Sequence, residues 1–581
     1  MVKDRPGNKP QNNRQSEAEG AGAGGPGSAE EAAPRVQGAP SPIAVQPRRP
    51  RYMVTPLPQH LLPPGVPELD MDAVCERLEQ MPEVMVVRRL TPSQKLQSAG
   101  VQPSCPELMV VEAAEAQVPA LRSLHVHIEP DLPLTAAAPA ATPAAGVQPL
   151  RDPALVMPLE EPAEVSVRVC GPDGEPLAGA GVFLIGATWP AQGITAADGS
   201  VTLTLATETV DSIQSLYVRP TGGYTDRWIH RPDLSATQDN LVTLTPLSEV
   251  YPELDQRQSY GWGQQAMRLD RLPPTFRAFG IKIAVIGTGV SAEHPDLSER
   301  VRAGVDLVRG TQEGWAHDPV GSGTHAAGVI AGSDTGKGII GIAVDAELEV
   351  CQVMPDGHFS DLIAALDHCI GCEVDIAHIQ VATPYPSALV SRKLADATAA
   401  GIACIAPAGD TGGPIAFPAS LPTVFAVGAL GAFGTYPPDS SQATHTAPQL
   451  TPEGLFAAPF SSHGPGVDSV APGVSVLSCA PQGGYTALDG TSTASAHVAG
   501  LAALVLAHHE DFHGQLLPRG PGRVQHLFEI IAASCRPLAA PGTLDAARTG
   551  RGLPDALTAL GLTPGMQLAP ALSPIAPSMA G

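Results

Sequence analysis

Hydrophobic positions follow three different rhythms along the chain, and each predicts a different kind of unit. Between residues 52 and 134 they come in short clusters. Strands are expected at 52–54, 83–90 and 108–111, and a helix over 71–81 carries Val74, Leu78 and Met81 on one face. A second helix over 113–124, interrupted by Pro119, and a last strand at 125–129, with His125 and His127 on one side, complete the order βαββαβ. That order predicts a ferredoxin-like α+β domain. From residue 163 to 248 the period is two. Val165, Val167 and Val169 alternate with Ser166, Arg168 and Cys170, the turn 171–174 and the pair Asp198-Gly199 punctuate further strands at 201–205, 216–218 and 241–247, and a small β-sandwich is predicted.

From about residue 249 onward, strands alternate with helices. Residues 281–286 form a near-continuous apolar strand and 348–353 a second strand in which apolar and polar residues alternate, while helices are expected over 360–370 and 387–400. Gly401 closes the latter before a strand at 402–406. Such alternation implies an α/β unit, a parallel sheet with helices on both faces and its function at the carboxyl ends of the strands.

The longest apolar run follows Gly490-Thr491-Ser492 and extends through Leu501 to Ala507. A glycine, two hydroxyl residues and an uninterrupted Ala/Val/Leu stretch predict a tight turn that places Ser492 at the start of a fully buried helix. Unpaired N–H groups there stabilise an oxyanion forming beside a nucleophilic serine. Serine alone is a poor nucleophile and needs a base within hydrogen-bond reach, held by a third group.

Composition refines this picture at the ends and the joints. Residues 1–50 are polar and rich in Gly, Ala, Pro, Glu and Gln, which predicts disorder; the cluster Arg48-Arg49-Pro50-Arg51 reads as solvated charge. Residues 135–162 read as an Ala/Pro linker and 566–581 as a flexible tail, leaving domains at 51–134, 163–248 and 249–565. The net charge of −24 has no long Lys/Arg block to offset it, which argues against nucleic acid or an anionic membrane as partner. The nine cysteines are scattered and odd in number, so no disulfide framework is expected. Cys369-Ile370-Gly371-Cys372 has CxxC spacing but no second pair, and packing is its expected role. The polar start at Met1-Val2-Lys3-Asp4 and the lack of a long apolar span set a cytoplasmic location as the default, with signal-independent export open.

Residues 284–290 (AVIGTGV), 294–297 (HPDL), 321–328 (GSGTHAAG), 406–410 (APAGD), 460–465 (FSSHGP), 471–473 (APG) and the Ser492 stretch occur in an order that resembles the subtilisin family of serine peptidases. The resemblance covers roughly 260–560 and implies the subtilisin-like fold. The 51–134 unit is similar to that family's inhibitory prosegment. The sandwich, through 174–180 (GEPLAGA) and Ala197-Asp198-Gly199, resembles the carboxypeptidase regulatory-like, transthyretin-type fold and shows no catalytic constellation.

Carried over position by position, the resemblance implies a dismantled site. Where the family has its triad aspartate this chain has Gly287, where it has the histidine this chain has Ser322, and the oxyanion-hole asparagine is Asp410. Ser492 alone is retained. Without an imidazole at Ser322 nothing takes the serine proton, and an ionised Asp410 opposes the charge of the tetrahedral intermediate. In subtilisin, loss of the serine or histidine costs about 10⁶ in turnover and loss of the oxyanion donor about 10²–10³.

His325 is the nearest substitute base in sequence and is expected to be packed; His294 and His497 are expected to be structural, and the loop position of His317 stays open. Asp296 is similar to a calcium ligand in some relatives, near the polar loop 333–338 whose Lys337 opposes a cation; no other cofactor is expected. In place of the family's Ser-Leu-Gly-Gly peptide groove stand Gln380, Val381, Ala382 and Thr383, whose larger side chains are expected to narrow or fill it.

Three functional readings follow. The first is a silent subtilisin-like module that binds a peptide or protein ligand, with the prosegment-like unit still attached. The second is a residually active serine endopeptidase using a non-standard base. In the third the β-sandwich is the working part and the large domain its platform.

Overall fold

A computed structural model describes residues 49–562, apart from 58–60, 63, 66, 68, 123–124, 136–158, 160–161, 188–189, 255, 482, 514–517 and 539–543. The expectations for nearly all of 1–50, for most of the 135–162 linker and for the 566–581 tail fall outside the described residues.

The large C-terminal sheet has eight strands. Along its main path run Val301–Asp306, Glu347–Gln352, Lys282–Gly287, Ile376–Ile379, Ala403–Pro407, Phe425–Ala432 and Leu455–Ala457, and Ser469–Pro472 also pairs with Phe425–Ala432. Every pairing is parallel except that of Leu455–Ala457, which is antiparallel. The central strands are largely apolar, as burial of both faces requires. In Lys282–Gly287, Ile283 and Val285 join one core with the helices Ser322–Ala331 and Thr491–His508. Ala284 and Ile286 join the other, with Phe359–Cys372 and Ala388–Ala399. Element ends differ from the sequence reading by one or two residues. The helix expected over 387–400 spans Ala388–Ala399, with the Ser387 hydroxyl accepting from the Val390 N–H as its cap.

The N-terminal elements build a four-stranded antiparallel sheet in the order Val84–Leu90, Leu108–Ala113, Arg51–Pro56, Val126–Pro130. Alternation along the strand Arg51–Pro56 sends Tyr52 and Val54 toward the helix Met71–Glu79 and Leu121, while Met53 faces the helices of the large domain. Two local expectations change. The segment 113–124 begins as strand and becomes a 3₁₀ turn, Glu115–Gln117, followed by the short helix Val118–Arg122, because Ala113 still pairs with Val84. His125 has a left-handed backbone (φ +56°) and lies outside the last strand, so it does not share a strand face with His127, whose ring instead meets Glu129 at 2.8 Å.

This sheet is anchored by polar contacts as well as apolar ones. Asp367 accepts from the Ser93 N–H at the start of the short helix Gln94–Ser98, Asp396 accepts from the Ser104 and Cys105 N–H groups, and Arg88 donates to Ser360 and Asp361. Between Asp367 and Asp396 sits Lys393, 2% exposed, with its ammonium 2.8 Å and 3.7 Å from the two carboxylates.

Residues 163–248 form two facing sheets, one with the order Arg227–His230, Ser215–Arg219, Gly181–Ile185, Ala191–Ile194 and one with Asn240–Thr243, Ala163–Cys170, Ser200–Leu205. Val165, Val167, Val169, Leu184, Leu216 and Val218 are among the side chains that fill the space between them. The strand expected over 241–247 stops at Thr243, since Pro246 leads into the helix Leu247–Val250. This unit rests against the large domain where the Trp228 N–H donates to the Asp439 carbonyl and Ser441 bonds Asp226.

Candidate active site

Ser492 is the second residue of the 18-residue helix Thr491–His508 and is buried at 5% exposure. Gly490 supplies the turn into that helix at φ +147°, a conformation that a side chain disfavours. The Ser492 carbonyl accepts from the His378 ring at 3.2 Å and from the Ser495 hydroxyl at 2.9 Å. Among the described residues, its hydroxyl has no hydrogen-bonded base.

Gly287 and Ser322, read from the sequence as the positions of the triad aspartate and histidine, meet through a third residue. A Cβ at Gly287 would lie 1.8 Å from the Gln380 Oε1, so the glutamine occupies the space of the missing side chain. From there the Gln380 amide donates to the Ser322 carbonyl at 3.0 Å, and its Oε1 is buried without a partner. Ser322 opens the helix Ser322–Ala331, and its hydroxyl pairs at 3.1 Å with that of Thr288, which also accepts from the Gly323 N–H.

Of the four positions expected to line a groove, Gln380, Val381 and Thr383 are buried at 1%, 0% and 2% exposure. They follow the strand Ile376–Ile379, which is buried on both faces. Thr383 exchanges two backbone hydrogen bonds of 2.9 Å with Phe417, whereas Ala382 turns its backbone to another segment. Its N–H donates to the Thr135 carbonyl at 3.2 Å, and its own carbonyl accepts from the Thr135 hydroxyl at 2.5 Å. On the opposite side the Leu134 N–H donates to the Gly357 carbonyl at 2.7 Å and the Phe359 N–H to the Leu132 carbonyl at 3.0 Å. Residues 132–135 therefore lie as an extended segment between 357–359 and Ala382.

At the remaining position, Asp410 Oδ1 accepts from the Thr491 N–H at 2.8 Å, while Oδ2 is buried without a partner. Burial pushes its pKa up to about 6 against the opposing hydrogen bonds from Thr491.

A family model of the subtilase family matches residues 279–522. Subtilisin Savinase of Lederbergia lenta is 36% identical over 233 residues, which cover 39% of this chain and 76% of the relative. Subtilisin DY of Bacillus licheniformis is 31% identical over 261 residues, 43% of this chain and 86% of the relative. The chain belongs to the subtilase family. It spans about half the length, 54%, of the M-protease of Shouchella clausii (strain KSM-K16), to which it is 36% identical.

In this subtilase none of the histidines weighed from sequence is bonded to Ser492. His325 is buried with its ring on the Val476 carbonyl, His497 is buried against the Thr493 carbonyl, and His294 bonds the Gly484 carbonyl. Burial lowers the pKa of His325 and His497 to about 4. His317 is exposed. Asp296 accepts from the hydroxyls of Thr335 and Tyr485, so both of its oxygens are engaged, and its neighbours His294 and Cys479 are not the oxygen donors that calcium favours.

The sequence reading passed over two features. His378 lies under the Ser492 turn with its ring 2.9 Å from the Ser495 hydroxyl and its pKa lowered by burial to about 4. His445 meets Asp489 at 2.6 Å and stacks edge-on against Phe460. Burial alone would lower the His445 pKa, but the hydrogen bond and charge of Asp489, with Asp226 and Asp410, raise it. A signal for His378 was present, a polar residue inside an apolar strand; for His445 and Asp489, 44 residues apart, there was none.

The Asp410 environment gives a pH prediction. Its folded pKa of about 6 lies above the ordinary 3.8, so the folded protein holds this proton more tightly. Stability is undiminished below pH 4 and falls as pH rises through 6. Asp410→Asn keeps the acceptor for Thr491 and should raise stability at pH 7 by about 1–2 kcal/mol, with no gain at pH 4. Urea unfolding of both proteins at the two pH values checks it; equal gains would refute the assignment.

Proposed function

We propose that this subtilase is a catalytically silent peptidase homologue that works as a peptide- or protein-binding module or scaffold. The observation that carries the reading is the Gln380 carboxamide filling the space beside Gly287 and tied to Ser322, so that both supports of the serine are replaced by one neutral side chain. Peptide hydrolysis needs a base that accepts the serine proton and returns it to the leaving amine. A carboxamide does neither.

In this reading the N-terminal sheet is a retained prosegment-like, ferredoxin-like domain and the two facing sheets of 163–248 are a carboxypeptidase regulatory-like spacer. Residues 132–135 occupy the edge where an extended ligand would add through backbone hydrogen bonds, and a peptide partner displaces them. No cofactor, nucleic acid or membrane enters this role. Among the described residues no helix is long and apolar enough to cross a membrane.

Intact mass of the purified chain tests the proposal: the full mass is expected. Spontaneous cleavage between residues 134 and 250, abolished by Ser492→Ala, would sink it. A residually active serine endopeptidase remains the competing reading, motivated by the His445–Asp489 pair, whose aspartate lies three residues before Ser492. Labelling of Ser492 by an active-serine phosphonate would favour that alternative.

A further inference from the structure

The CxxC pair of the sequence does not act as a pair. Cys369 is buried, while Cys372, one helical turn beyond His368, points with it toward the neighbouring strand. There the His368 Nε2 lies 2.7 Å from Glu349 Oε1 and 3.4 Å from Cys372 Sγ. All three donor atoms fall within 4.8 Å of one another, and all three residues are partly exposed. Sulfur and carboxylate thus converge on the same ring nitrogen. In a thiol–imidazole–acid relay they would sit on opposite nitrogens.

We propose that Glu349, His368 and Cys372 form a binding site for one zinc-class divalent cation, distant in role from Ser492. The donor set of imidazole, thiolate and carboxylate suits a borderline-soft ion and disfavours calcium or magnesium. Tetrahedral zinc with bonds of about 2.0–2.3 Å holds its donors roughly 3.3–3.6 Å apart. The nitrogen–sulfur separation already matches, and the nitrogen–oxygen hydrogen bond needs to open by about half an ångström.

Charge balances as well, since one thiolate and one carboxylate neutralise a dication while the imidazole binds neutral. Binding replaces the thiol S–H bond with a metal–sulfur bond and releases that proton to solvent; the ring proton moves to Nδ1, which makes no hydrogen bond among the described residues. Burial, first, and then the Glu349 charge raise the Cys372 pKa, and Lys282, which donates to the Cys372 carbonyl, opposes them. Exposure leaves a fourth position for water.

The buried trio His294, Asp296 and Cys479 makes the contrast. There both ring nitrogens are taken by hydrogen bonds, so the imidazole offers an ion no nitrogen, and each carboxylate oxygen already accepts from a hydroxyl.

Cobalt(II) titration of the metal-stripped full-length protein tests the site. One equivalent should bind, with a near-ultraviolet thiolate-to-cobalt absorption band that zinc removes. Cys372→Ser, nearly isosteric and checked for folding by circular dichroism, should abolish the band and weaken binding at least tenfold. Glu349→Gln should keep the band and weaken binding about tenfold. Absence of the band in the intact chain, or an unchanged band in Cys372→Ser, overturns the proposal.

Discussion

A chain carrying Gly287→Asp, Ser322→His, Gln380→Ser and Asp410→Asn together is expected to hydrolyse peptides at least about 10³-fold faster than the parent, while none of the four changes alone has a detectable effect. The reason is steric before it is chemical. An aspartate introduced at Gly287 meets the Gln380 oxygen at 1.8 Å, so the single change produces overpacking, at about 1–3 kcal/mol, and no activity. Removing the glutamine alone leaves a void beside a glycine. Histidine at Ser322 without its aspartate lacks the group that holds the ring in the required tautomer. The four positions act as a unit, which is why the expected gain is strongly non-additive. Turnover of a chromogenic peptide, and its loss on adding Ser492→Ala, provide the readout. A folded fourfold variant with no Ser492-dependent hydrolysis would count against the proposal that these replacements silence the site.

Lys393→Met is the change expected to be most costly to stability, at about 3–5 kcal/mol. The ammonium is 2% exposed between Asp367 and Asp396, and its removal leaves two carboxylates facing one another with no cation. Both carboxylates also receive backbone N–H groups of the N-terminal sheet, from Ser93, Ser104 and Cys105. The damage should therefore spread to the docking of that sheet. Urea unfolding should show the loss in midpoint, and limited proteolysis should cut residues 49–134 earlier than in the parent. A shift of under 1 kcal/mol would mean that water replaces the ammonium and that the pair is not sealed.

Much of the α/β architecture was legible because its strands are buried on both faces. The apolar stretch 281–286 had few alternatives, and the observed strand differs by one residue at each end. The buried helix behind Ser492 was legible for the same reason, and motif order singled out Gly287, Ser322 and Asp410 for attention. The direction of the Gln380 side chain was not, since it depends on an empty volume at Gly287, nearly a hundred residues earlier in the chain. Nor was the partnership of His445 with Asp489, or the path of residues 132–135, because local periodicity carries no information about contacts across such separations. The fate of Cys372 illustrates the same limit: its CxxC spacing pointed to Cys369, while helical geometry joined it to His368.

The segment on the Ala382 edge belongs to the same chain as the edge it covers. Its local concentration is set by the tether and does not fall when the protein is diluted, and for intramolecular ligands that value is on the order of millimolar. A separate peptide that binds this edge must outcompete a permanent neighbour. If the module binds as proposed, partners with many contacts beyond the edge, or ones that first pull the N-terminal sheet away, are favoured over short free peptides, and it would select for size and persistence before it reads any side chain.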